Sequence, residues 1–187
     1  FADSVFLNKV EQRVIIPTIE GLKNEGIEYT GFLFIGLMNM DGEPFVIEYN
    51  ARMGDPETEV VFPRIKSDVG ALFKAVADKD LHNYKIEIEP STASTIVLVS
   101  GGYPEDYEKG FEISGLDKTA DVHVFHAGTS IKDGKLVNTG GRVFAVTAFG
   151  KTIQEAIDKS NKAAASIQWH KRYYRKDIGT DLLKYEK

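Results

Sequence analysis

Two Asp-Gly pairs, Asp41-Gly42 and Asp133-Gly134, constrain this chain more than any other feature. A two-residue Asp-Gly connection selects the mirror-image turn whose twist matches paired strands, so each pair predicts a β-hairpin. The first is flanked by the apolar run Tyr29 to Met40 and by Pro44 to Asn50; the second lies between strands expected at Val122 to Phe125 and Arg142 to Ala148. Antiparallel pairing in both halves of the chain is therefore the starting point.

Helices complete the pattern. Val10, Val14, Ile15, Ile19 and Leu22 recur at helical spacing between Lys9 and the stop at Gly26, with Pro17 expected to kink or restart that helix. Ser67 to Asp78 gathers Val69, Leu72, Phe73 and Val76 on one face, with Ser67 as the expected N-cap. Ala93 to Ser100 reads as a strand ending in a Gly101-Gly102-Tyr103-Pro104 turn, and Thr152 to Ile167 as an amphipathic helix. The expectation is an α+β chain in two pieces, 1–82 and 83–187, parted by a polar, mixed stretch over Lys79 to Pro90. There is no internal repeat or low-complexity segment.

Composition narrows the function. A net charge of -5 over 187 residues argues against binding nucleic acid through phosphates, and the basic run His170 to Lys176 reads as a solvated helix end. With no cysteine, a disulfide framework, thiolate nucleophile or Cys-ligated zinc is excluded, which fits a reducing cytoplasm. No apolar run approaches the roughly 20 residues that span a bilayer, so a soluble protein without membrane partners is expected. Phe1 to Leu7 reads as the middle of something longer, and a fragment is expected.

Val46 to Glu59 carries the chemistry: VIEYNARMGDPETE. Strand alternation sends Phe45, Ile47 and Tyr49 to one face, read as core, and Val46, Glu48, Asn50 and Arg52 to the other. A carboxylate beside an amide carbonyl supplies hard oxygen ligands suited to Mg²⁺, and Arg52 lies within reach of a phosphate bound to that metal. The plain alternative is a Glu48–Arg52 salt bridge on a solvated strand.

The words RMGDPETE, together with GFLFIGL (31–37), SGGYP (100–104), VFHAGT (124–129), TGGRV (139–143) and YRKDIG (174–179), resemble the phosphoribosylamine–glycine ligase family, in order and across nearly the whole chain. That resemblance implies the end of an ATP-grasp domain followed by a small C-terminal sheet-plus-helix domain. It implies ATP-dependent joining of glycine to 5-phosphoribosylamine, with Glu48 and Asn50 holding Mg²⁺ or Mn²⁺ and Arg52 stabilising the transferring phosphoryl group. Asp55 and Glu57 are open between binding the glycine ammonium and, for Asp55, capping the turn and the helix after it. His126, Thr129 and Arg142 become contacts to the phosphoribosyl substrate, against the plain readings of a structural histidine and a glycine turn entering a strand. Met53 stands where the family's Phe or Leu is expected, and GFLFIGL lacks the acidic ligand that many ATP-grasp enzymes carry on that strand, leaving two protein ligands for the metal. The family's amino-terminal part would lie upstream, so this chain alone is expected not to turn over. The rival expectations are an ATP-grasp ligase for another carboxylate and a non-catalytic metal- or carboxylate-binding module.

Overall fold

The computed structural model describes residues 2–186. They form two compact units: residues 2–54 with 67–87, and residues 55–66 with 88–186. The α+β class holds, but the expected division at 82/83 differs from the packing in two segments: Asp55–Lys66, placed by sequence in the first piece, packs with the second, and residues 83–87, placed in the second, pack with the first.

The first unit opens with α1 (Ser4–Val10), a π-helical segment (Glu11–Ile15) and α2 (Ile16–Asn24), which run on without a break. Asp3 caps the start, accepting from the Phe6 N–H at 2.8 Å. Pro17 stands in the first turn of α2, where its missing N–H costs least, so the α-helical register restarts there after the π-helical segment, as expected. Strands β1 (Phe34–Met40) and β2 (Glu43–Asn50) then form the expected hairpin, with Asp41 and Gly42 at φ 53° and 84° as its two-residue turn requires. Lys9 binds both the Gly42 carbonyl (2.8 Å) and Glu43 (2.6 Å), and Arg13 also pairs with Glu43, fastening helix to hairpin. In α4 (Val69–Ala77) the N-cap is Asp68 rather than Ser67: its carboxylate accepts from Ala71 N–H at 2.7 Å. Ser67 instead accepts from the Glu87 N–H at 2.6 Å.

In the second unit, α3 (Thr58–Val61) packs against a three-stranded antiparallel sheet of order β3-β7-β4. Its strands are β3 (Thr92–Val99), β4 (His123–His126) and β7 (Arg142–Gly150). The second Asp-Gly turn does form a hairpin, but from two separate strands, β5 (Thr129–Lys132) and β6 (Lys135–Asn138), which make their own small sheet. Helix α5 (Ile153–Ser166) lies on β7 and β3, starting at an N-cap, Thr152, that accepts from Glu155 N–H at 3.1 Å. Ile96, Leu98, Val143, Phe144, Val146, Ala164, Ile167 and Trp169 fill the core. The central strand β7 is buried along both faces because α5 and α3 both lie against it, and Thr147 Oγ1 donates to the Glu59 carbonyl at 2.7 Å. Among the described residues no helix is long and apolar enough to cross a membrane.

Candidate functional site

The chemistry-bearing residues fall into two sets, one in each unit. In the first unit, Glu48 pairs with Gly36 across the hairpin, and the next partners are Leu37 and Val46, so Ile47 is an extra, bulged residue. A bulge reverses the facing of every side chain beyond it. Simple alternation therefore fails here: Phe45 shares the face of Glu48 and Asn50, while Val46 lies with Tyr49 on the face turned to the helix, where the Tyr49 and Thr18 hydroxyls meet at 3.0 Å. Nor is the Phe45, Ile47, Tyr49 set a core, since all three are at least half exposed. A two-stranded sheet with a helix on one side cannot bury both of its faces.

Asn50 Nδ2 donates to Glu48 Oε1 at 3.2 Å, setting amide and carboxylate side by side. Glu48 lies over the place where a side chain at position 36 would stand: a Cβ built on Gly36 meets Glu48 Cγ at 2.9 Å. The residues fit a hard divalent cation, since both donors are oxygens of the class that Mg²⁺ or Mn²⁺ takes and Gly36 leaves the carboxylate its room. Among the described residues no group of three or more His, Cys, Asp or Glu is placed to hold a metal ion. The Glu48–Arg52 salt bridge does not form; Arg52 Nη1 instead donates to the Met53 carbonyl at 2.7 Å.

The second set surrounds Arg142. Its Nη1 lies 3.0 Å from Asp55 Oδ1 and donates to the Asp55 carbonyl at 3.1 Å, while its Nε donates to the Tyr103 hydroxyl at 3.2 Å. The Tyr103 hydrogen bond holds the guanidinium pKa above its ordinary value against the opposing effect of burial, with the charge of Asp55 adding to the rise. Asp55 is therefore not a helix cap: the N-cap position of α3 is Glu57, with no side-chain hydrogen bond to the helix, and the Asp55-Pro56 peptide just before it is cis. His126 Nδ1 and Thr129 Oγ1 meet at 3.0 Å, with the imidazole edge-on to Phe144 at 4.9 Å.

Backbone packing draws these groups together. Gly128 and Gly140 touch so closely that a Cβ on Gly128 would lie 2.5 Å from the Gly140 Cα, and Gly128 N–H donates to the Arg142 carbonyl at 2.9 Å. The HAGT turn and the GGR turn thus cross in direct contact, a placement available only to glycine. Buried Asn138 locks the crossing: it donates to Ser100 Oγ (2.8 Å) and the Glu108 carbonyl (3.0 Å), and accepts from Phe111 N–H (2.8 Å). Ser100 Oγ passes the chain on to the Gly140 carbonyl at 2.8 Å.

Tyr103 packs on Gly141 and its hydroxyl also holds Arg142, a role that sequence reasoning missed because only the fold brings SGGYP and TGGRV together. Asn138 carried no sequence signal at all.

Comparison with known proteins decides the family. Residues 1–58 match the family described as phosphoribosylglycinamide synthetase, ATP-grasp (A) domain, and residues 93–181 match phosphoribosylglycinamide synthetase, C domain. The chain belongs to the phosphoribosylamine–glycine ligase family. It is 43% identical over 176 residues to the phosphoribosylamine–glycine ligase of Caldanaerobacter subterraneus, covering 94% of this chain and 42% of that protein. It is 45% identical to the trifunctional purine biosynthetic protein adenosine-3 of Gallus gallus, covering 92% of this chain and 18% of that one. The crystal structure of the Thermotoga maritima ligase superposes with a TM-score of 0.78 at 38% identity, over 94% of this chain and 43% of that one. This chain thus spans less than half the length of these members of the family.

Proposed function

We propose that this chain contributes the metal-binding and part of the substrate-binding machinery of an ATP-dependent ligase that joins glycine to 5-phosphoribosylamine, giving glycinamide ribonucleotide, ADP and phosphate in cytoplasmic purine biosynthesis. The observation that carries the reading is the hydrogen-bonded Glu48–Asn50 carboxylate–amide pair, with Glu48 seated over Gly36 and the GDPE turn following a few residues on, in a chain of this family. The family matches end at residue 58 and begin again at 93, which supports an ATP-grasp part over 1–82 and a C-terminal domain over 83–187.

In this reading the γ-phosphoryl group of ATP passes to the glycine carboxylate, releasing ADP. The ribosylamine nitrogen then attacks the glycyl carbonyl carbon, and phosphate leaves as the C–N bond forms. Glu48 and Asn50 would hold Mg²⁺ or Mn²⁺, which when bound neutralises charge on the ATP phosphates. Arg52 stabilises negative charge on the transferring group, an electrostatic task that needs no proton transfer. Asp55 and Glu57 offer carboxylates for the glycine ammonium. Arg142, with His126 and Thr129, faces the phosphoribosyl substrate.

The test is ADP release by the full natural polypeptide carrying this chain, with and without glycine and freshly made phosphoribosylamine. Release should require both substrates and fall by about a hundredfold or more in Glu48→Gln, the scale of losing a group that stabilises developing charge. Release indifferent to either substrate overturns the reaction; release undiminished in the variant overturns the metal role.

A further inference from the structure

The basic run His170 to Lys176 is not the solvated end of α5. That helix stops at Ser166, Trp169 enters the core, and Tyr173 pairs through both backbone groups with Val99 at 2.8 and 2.9 Å. The run is thus fastened along the outer edge of β3, where it braces the SGGYP turn: a Cβ on Gly101 would lie 2.2 Å from the Lys171 carbonyl oxygen. On the other side of the turn, Ser100 N–H donates to the Gly141 carbonyl at 2.8 Å and Tyr103 N–H to the Ser100 carbonyl at 3.1 Å. The Tyr103 ring lies on Gly141 and edge-on to Tyr107, with 6.1 Å between ring centroids. Two torsions place a tyrosine side chain, so fixing its backbone and its ring also fixes its hydroxyl.

That hydroxyl ends on Arg142, whose planar guanidinium carries donors at three corners. Nε donates to Tyr103 and Nη1 is turned to Asp55, while Nη2 meets no acceptor among the described residues. Contacts at two corners of one plane define the direction of the third. Stability does not account for this arrangement. The Arg142 side chain is 41% exposed, and exposed ion pairs contribute little to folding. A long cationic side chain left to itself spreads over many rotamers, and pinning it serves a group that has to meet a ligand in one geometry. The choice of a phenol is also apt: a neutral acceptor fixes the guanidinium without cancelling its charge, which a second carboxylate would do.

We propose that Tyr103 is a positioning residue of the ligase, acting through Arg142: its phenol oxygen holds the guanidinium plane so that Nη2 is presented before the substrate arrives. Resting on the ligase reading, the group that Nη2 meets belongs to the phosphoribosyl substrate. Tyr103 itself makes no contact with that substrate. Without the hydroxyl, Asp55 remains the only anchor and the guanidinium swings about it, while the ring goes on filling the space over Gly141. Direction is lost and packing is kept.

The experiment is steady-state ADP release by the full natural polypeptide, for the wild type, Tyr103→Phe, Arg142→Lys and the double variant, with melting temperatures to establish that each folds. Tyr103→Phe should keep its melting temperature and raise KM for phosphoribosylamine about tenfold, the scale of one hydrogen bond to a charged group, with KM for ATP unchanged. In the Arg142→Lys background the same change should alter kcat/KM by less than about twofold, because the fork it positions is gone. Losses that multiply in the double variant would make Tyr103 a substrate contact in its own right and overturn its action through Arg142. An unchanged KM for phosphoribosylamine in Tyr103→Phe, or an equal rise for phosphoribosylamine and ATP, reduces the contact to a structural one and overturns the proposal. A failed ligase reading shows separately, in the wild type, as ADP release that ignores phosphoribosylamine.

Discussion

At the scale of single residues, the site depends on glycines that make room for a neighbour's side chain. A Cβ on Gly141 would lie 2.1 Å from the Tyr103 ring, so Gly141→Ala must push Tyr103 away and take from Arg142 one of its two anchors. Urea denaturation should show a loss of about 1–3 kcal/mol, the usual cost of overpacking a filled position. Asp55→Asn is expected to behave differently. Arg142 and Asp55 are both partly exposed, at 41% and 63%, so the lost pair should change stability by no more than about 1 kcal/mol. Ligase turnover by the full polypeptide should fall by far more than that figure implies. Equal losses in stability and rate would mean that the pair only fastens the loop.

At the scale of elements, the hairpins, the helices and the polar end of β2 were legible, because each depends on local chemistry: an Asp-Gly turn, a 3.6-residue period, alternating polar groups. The bulges were not. Ile47 in β2 and Val143 in β7 are extra residues, each next to a functional side chain, and only the partner strand shows which residue goes unpaired. The same limit hid the separate β5-β6 sheet and the contact between the HAGT and GGR turns, both products of distant pairing. Helix caps were legible to within one position, Asp68 taking the role expected of Ser67. Asp68→Ala should therefore cost about 0.5–2 kcal/mol in thermal or urea unfolding, whereas Ser67→Ala should leave the start of α4 intact. At the head of α5, hydrogen bonding from Lys159 and from the Lys151 N–H lowers the pKa of Glu155 below its ordinary 4.5. A lowered folded-state pKa means stability that is present above the unfolded value and lost as pH falls through the folded one. Stability measured down an acid series should decline less steeply in Glu155→Gln than in the wild type.

At the scale of the whole molecule, Glu48, Asn50 and Arg52 belong to the first compact unit, while Asp55, Glu57, His126, Thr129 and Arg142 belong to the second. Positioning of reactants supplies much of what an enzyme contributes, and the chain spans 42% of the Caldanaerobacter relative. The 187-residue chain assayed alone should accordingly release no ADP above background with all substrates present; measurable, substrate-dependent release would show that it carries a complete nucleotide site.

The path of the backbone has a last consequence. It passes between the units three times, at 54/55, 66/67 and 87/88, and the short visit from Asp55 to Lys66 delivers α3 to the sheet of the second unit. A gene cut once, anywhere, cannot release that unit whole: a break at 82/83 strips β7 of the helix that covers one of its faces. Recombination could exchange these halves between relatives only by carrying the twelve-residue segment along with a partner it does not adjoin in sequence. The GDPE turn is thereby inherited as joint property of both units.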